Sequence, residues 1–279
     1  MFSINVSLKD EGYKVQGGSL RGFCVTETLD VEVPEWRRPA VIVVPGGAYT
    51  YVSLREGEPI AASFLAKGYQ VFVLKYLICT EGVQYPEQLL ELASAVDYVK
   101  KNAEKFLVNP EEIFVVGFSA GGHLTGNLAV EWDEVEELSG MKLDCKPTAV
   151  GLAYPVVTST EPTHMGSFNN LLQYYTGEEK ERMKEKLSIE KRVDENTPPM
   201  FIWTTSADTL VPARNSLLLA LALADQGKLY ELHVYPEGEH GAANCDFETN
   251  SPNQPYLRKN GAWIDDCATF FRLLCKEVF

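Results

Sequence analysis

Residues 113–129, IFVVGFSAGGHLTGNLA, pass from an apolar β-type run into a helix-type run with almost no residues left for a loop. Gly117 and Gly121 stand two positions either side of Ser119, and Gly122 follows. A chain that turns from strand to helix this abruptly holds the turning residue in strained dihedrals. Side chains two positions away would collide there, and glycine removes their Cβ atoms. The serine hydroxyl is then expected at the carboxyl end of a strand, close to the positive end of the following helix.

The rest of the chain supplies a matching frame. Short β-branched and aromatic runs are expected as strands at 40–44 (AVIVV), 69–76, 113–116, 148–154, 200–205 and 230–235. Between them, PIAASFLAKG reads as a helix stopped by Gly68. YPEQLLELASAVDYVKKNAEKF carries a stripe at Leu89, Leu92, Ala93, Val96 and Val99, with Pro86 suited to a first turn. VPARNSLLLALALADQGK and the closing GAWIDDCATFFRLLCKEVF read as further helices. Strand–helix alternation with continuously apolar strands is the pattern of a mostly parallel sheet covered on both faces. Residues 1–33 read as antiparallel hairpin strands at its edge. Segment 158–198 is polar and replaces a plain crossover; its charge run reads as a solvated helix face, and a lid or pocket wall is the second reading. No repeat or linker divides the chain, so one α/β domain over 1–279 is expected.

A net charge of −14 disfavours nucleic-acid and anionic-membrane partners. No apolar run approaches a membrane span, and the start has neither a basic nor an apolar leader region. The six cysteines show no C-x-x-C pair. They read as free thiols of a cytoplasmic protein, buried as small hydrophobes.

Gly117-Phe118-Ser119-Ala120-Gly121 matches G-x-S-x-G in the strand–turn–helix context of a nucleophile elbow. A serine needs a base, and there are four histidines. His123 lies one turn into the serine's own helix, His164 sits in the insertion, and His233 falls inside a strand. His240, in the glycine-bracketed loop PEGEHG after the last strand, is the candidate base. Asp208, after another strand in TSADTLVP, is the candidate orienting acid, its competing role being a helix N-cap. Glu161 is the reserve acid. VVPGGAYTY (43–51) offers loop amides for an oxyanion, with the amide of Ala120 as a second donor. Tyr49, Tyr51, Tyr154 and Trp203, near strand ends, are candidate pocket aromatics, although aromatics at such places are commonly core.

Together GFSAGGHL, SADTLVP, PEGEHG and PGGAY resemble the esterase/lipase branch of the α/β-hydrolase superfamily, and most closely bacterial acetyl-xylan-esterase-like (sugar hydrolase) esterases. The resemblance spans about residues 20–275. It implies Ser119 as nucleophile, His240 as base and Asp208 as its partner, with Gly47 or Ala48 and Ala120 as oxyanion donors. Val44-Pro45 stand where H-G-G-G lipases carry histidine, and Ala48 replaces the third glycine of a P-G-G-G-Y pattern. The implied activity is hydrolysis of short-acyl esters, acetyl above all, with acetylated sugar as the implied substrate class. No metal or organic cofactor is required. An amidase, formamidase or acyltransferase would use the same machinery, and a non-catalytic binding protein is the remaining alternative. Oligomeric state is not legible.

Overall fold

The computed structural model describes residues 1–26, 37–251, 254 and 256–276. Its strands are β1 (Phe2–Ser7), β2 (Ser19–Cys24), β3 (Arg38–Val44), β4 (Gln70–Lys75), β5 (Val108–Phe118), β6 (Ala149–Ala153), β7 (Met200–Thr205) and β8 (Tyr230–Tyr235). They form one sheet in the order β1-β2-β4-β3-β5-β6-β7-β8. β1 and β2 pair antiparallel, β2 joins β4 antiparallel, and every later pairing is parallel. The edge hairpin therefore stands where expected, although residues 27–33 of that expectation lie outside the described residues. β5 begins at Val108 rather than at 113. Its polar start, Asn109 to Glu111, meets β3 through a register irregularity between Arg38 and Ala40, which an apolar-run reading does not detect.

The helices are α1 (Glu58–Leu65), α2 (Glu87–Lys101), α3 (Ala103–Phe106), α4 (Ala120–Glu131), α5 (Val135–Ser139), α6 (Met165–Leu171), α7 (Gly177–Lys186), α8 (Arg214–Asp225), α9 (Leu257–Asn260) and α10 (Trp263–Arg272). The segment read as one helix up to Phe106 breaks at Asn102 into α2 and α3. Side chains alternate along each strand, so two cores form. Ile42, Val44, Val115, Leu152 and Ile202 pack towards α2, α4 and α8. Val41, Val43, Phe114, Val116 and Trp203 pack towards α1 and α10. Phe114 stacks on Phe271 at 4.3 Å, and such a pair contributes about 0.5–1.5 kcal/mol beyond its buried area. No helix among the described residues is long and apolar enough to cross a membrane.

Parallel register brings the carboxyl ends together: Val44 pairs with Gly117, Phe118 with Ala153, Ala153 with Trp203 and Thr205 with Tyr235. The loops leaving β3, β5, β6, β7 and β8 thus share one rim of the sheet. Segment 158–198 holds α6 and α7. α7 keeps most of its charges in solvent and buries Met183, but Lys186 at its end, with Arg192, reaches the buried carboxylate of Glu131 at the end of α4.

Candidate active site

Ser119 is the joint between β5 and α4, with φ 52° and ψ −115°. Backbone bonds hold this left-handed conformation: its N–H donates to the Ala153 carbonyl at 3.0 Å, and its carbonyl accepts from His123 and Val156. The flanking glycines are sterically required. A Cβ at Gly117 would lie 2.2 Å from Thr125 Oγ1, and one at Gly121 would lie 2.2 Å from the Val44 carbonyl oxygen.

The Ser119 hydroxyl lies 2.8 Å from His240 Nε2, and His240 Nδ1 lies 2.6 Å from Asp208 Oδ2. The other oxygen of Asp208 accepts from the amides of Leu210 and Val211, each at 2.9 Å. Asp208 therefore acts as a turn cap and as the histidine's partner at once, one oxygen for each. Because a carboxylate only accepts, Nδ1 carries the proton and Nε2 faces the serine as an acceptor. Ser119 and Asp208 are buried and His240 is slightly exposed, so the array touches solvent through the imidazole.

The other histidines sit elsewhere. His123 is buried between the Tyr49 hydroxyl (2.8 Å) and the Leu187 carbonyl (2.9 Å), and burial lowers its pKa to about 4, which keeps it neutral. His233 pairs with Glu231 at 2.6 Å on the sheet surface. His164 is held by Ser167 Oγ at 2.9 Å. Burial lowers its pKa, and the His240 imidazole lowers it further. Glu161 is exposed, and the carboxylate on His240 is that of Asp208.

The loop after β3 carries the candidate oxyanion donors. The Gly46 amide is already engaged, donating to Glu56 Oε2 at 2.8 Å. The amides of Gly47 and Ala48 have no acceptor among the described residues. Ala120, first in α4, has an amide without an intrahelical partner. Gly47 has φ 125°, and a Cβ there would fall 1.9 Å from the Tyr51 carbonyl oxygen. Ala48 and Tyr49 also adopt positive φ (53° and 61°), a conformation costly for L-residues. From the insertion, Asn170 Nδ2 donates to the Ala48 carbonyl at 2.8 Å, so α6 props this loop.

Three of the four expected pocket aromatics are core instead. Tyr49 and Trp203 are 0% exposed and Tyr154 is 2% exposed. Trp203 points from β7 into the layer under α10, where it stacks on Trp263 at 5.2 Å. Tyr49 turns inward to His123, and Tyr154 supports His240 edge-on at 4.9 Å. Tyr51 alone of the four is exposed.

Sequence reasoning missed Glu56. This buried acid also accepts from the Tyr154 hydroxyl at 2.8 Å, and Tyr154 in turn accepts from the Ala243 amide at 3.0 Å in the His240 loop. One carboxyl group thus joins the loops after β3, β6 and β8. In LREGEP it is one of several charges, and nothing local separates it from a surface residue.

A BD-FAE family model matches residues 29–223. The chain is 38% identical over 217 residues to endo-1,4-beta-xylanase B of Butyrivibrio fibrisolvens, an alignment covering 76% of this chain and 34% of that protein. It is 28% identical over 211 residues to an acetylxylan esterase of Xylanibacter ruminicola, covering 72% of this chain and 40% of that one. The chain thus spans only 34–40% of the length of these curated relatives. Among solved structures, an acetyl ester-xyloside bifunctional hydrolase from Caldicellulosiruptor lactoaceticus superposes with a TM-score of 0.77 at 30% identity, covering 92% of this chain and 88% of that one. The sheet, its helical layers and the antiparallel edge are those of the α/β-hydrolase fold.

Proposed function

The chain belongs to the BD-FAE family, and we propose that it is a serine carboxylesterase that removes short acyl groups, acetyl above all, from carbohydrate esters. The observation that carries this reading is the hydrogen-bonded series Ser119–His240–Asp208 beside unengaged loop amides. The names of the relatives, an acetylxylan esterase and an acetyl ester-xyloside hydrolase, support the acyl and alcohol classes.

In this reading the Ser119 oxygen attacks the ester carbonyl while its proton passes to His240 Nε2. Amides of Gly47 or Ala48, with Ala120, receive the developing oxyanion. His240 returns the proton to the departing alcohol, leaving an acyl-serine. Water, deprotonated by the same imidazole, then releases the acid. Asp208 stays ionised and holds the imidazole tautomer. α4 adds the positive end of its dipole at the nucleophile.

The test is a kcat/KM series on nitrophenyl esters from acetyl to octanoyl, run beside the matching anilides. Acetyl is expected to lead and the anilides to trail. A maximum at long chains, or anilides turned over faster than esters, refutes the assignment.

A further inference from the structure

We propose that His123 is a positioning residue for the reaction: through the Tyr49 hydroxyl it holds the turn after β3 in the shape that aims the Ala48 amide at the oxyanion. The proposal rests on the reading of that turn as a source of oxyanion donors, and it assigns the side chains that keep those donors in register with Ser119.

The turn is one that needs holding. Gly47, Ala48 and Tyr49 have φ of 125°, 53° and 61° in succession, and for Ala48 and Tyr49 that conformation is costly. The Gly47 carbonyl accepts from the amides of Thr50 at 2.9 Å and Tyr51 at 3.2 Å. In a trans peptide the N–H points opposite to the carbonyl that shares its plane, so these bonds turn the Ala48 N–H outwards, away from the loop. The aim of that amide therefore depends on the turn staying closed, and Tyr49 lies inside it. Its carbonyl accepts from the Cys79 amide at 2.8 Å, and its fully buried side chain ends on His123.

His123 is arranged to receive it. The Leu187 carbonyl, 2.9 Å from Nε2, can only accept, so Nε2 carries the proton and Nδ1 is left as an acceptor. The Tyr49 hydroxyl donates to Nδ1 at 2.8 Å, and Asn127 Nδ2 approaches the same atom at 3.4 Å. Phe168 of the insertion packs against the ring at 4.8 Å, which fixes its plane. The backbone N–H of His123 donates to the Ser119 carbonyl at 3.0 Å. One residue thus touches both the nucleophile's backbone and the oxyanion turn, and it sets the distance between them. A phenylalanine and a leucine would fill the same space without burying a hydroxyl and an imidazole, so what the pair supplies is orientation.

The experiment measures kcat and KM on 4-nitrophenyl acetate, and the inhibition constant of an alkyl trifluoromethyl ketone, for wild type, Tyr49→Phe, His123→Leu and His123→Asn. Ser119 adds to the ketone carbon, its proton passing to His240, and the carbonyl electron pair settles on an oxyanion in the donor site. The inhibition constant therefore reports the donors rather than substrate binding. Tyr49→Phe and His123→Leu are expected to lower kcat roughly 10–100-fold with KM little changed, and to weaken the ketone by the same factor. His123→Asn keeps an acceptor oxygen at the place of Nδ1 and is expected to recover most of both. Tyr49→Phe deletes one oxygen, so it decides the matter if His123→Leu fails to fold. A folded Tyr49→Phe with wild-type kcat, a fall in kcat without weaker ketone binding, or a His123→Asn no better than His123→Leu overturns the positioning role alone. A wild type that the ketone does not inhibit overturns the reading of the triad on which that role rests.

Discussion

Asp208→Asn is the substitution whose consequence the structure works out most fully. Oδ1 accepts two backbone N–H groups, from Leu210 and Val211, whereas Oδ2 faces His240 Nδ1. In asparagine the carbonyl oxygen must stay on the Oδ1 side, since an NH2 there would oppose two donors and lose both bonds. The NH2 then points at His240 and donates to Nδ1, which forces the ring proton onto Nε2. Nε2 now presents a hydrogen to Ser119 and can no longer accept one. The fold keeps its turn cap, so the melting temperature is expected to stay close to wild type while kcat on 4-nitrophenyl acetate falls about 10⁴-fold, or about 5 kcal/mol of transition-state stabilisation. A folded Asp208→Asn enzyme retaining a tenth of wild-type kcat would show that the imidazole tautomer does not control the rate.

Glu56→Gln replaces one accepting oxygen with an NH2, leaving one buried donor at the Gly46–Tyr154 junction without an acceptor, at a cost of about 1–3 kcal/mol. Because the junction places the β3 and His240 loops, kcat is expected to fall roughly 10–100-fold with KM little changed; steady-state kinetics on 4-nitrophenyl acetate checks the split. Burial raises the Glu91 carboxyl from 4.5 to about 8. The native chain thus keeps a proton that the unfolded chain loses, and this contribution is complete below the unfolded value and lost as pH rises through about 8. Glu91→Gln stays neutral throughout, so its gain in melting temperature over wild type is expected to grow from about pH 5 to about pH 8, by about 2–4 °C per kcal/mol; scanning calorimetry at both pH values checks this. Arg192→Met leaves the buried Glu131 with Lys186 at 3.5 Å as its remaining cation. Breaking a buried pair from one side costs about 3–5 kcal/mol, which urea unfolding measures.

The positions of Ser119, Asp208 and His240 were legible because each follows an apolar run, and parallel strands put all such positions on one rim. Gly117 and Gly121 were legible because the strand-to-helix turn leaves no room for their Cβ atoms. What escaped depends on depth and on contacts distant in sequence. Whether Trp203 faces a pocket or the core is decided by α10, more than fifty residues later, which brings Trp263 against it. Glu56 owes its place to Tyr154, 98 residues away. The contact of the insertion with the β3 loop, Asn170 on Ala48, joins residues 122 apart and has no local signal. Charge patterning did identify most of α7 as solvated, but not Lys186, whose pairing with Glu131 and Glu134 depends on the end of α4, about fifty residues earlier.

The proposed chemistry stands or falls with Ser119 as a nucleophile activated by His240. Treatment with a fluorophosphonate followed by peptide mass spectrometry tests it most directly. A single stoichiometric adduct on Ser119 is expected, absent in Ser119→Ala and slowed by orders of magnitude in His240→Ala. An unmodified Ser119, or an adduct formed as fast without the imidazole, would contradict it.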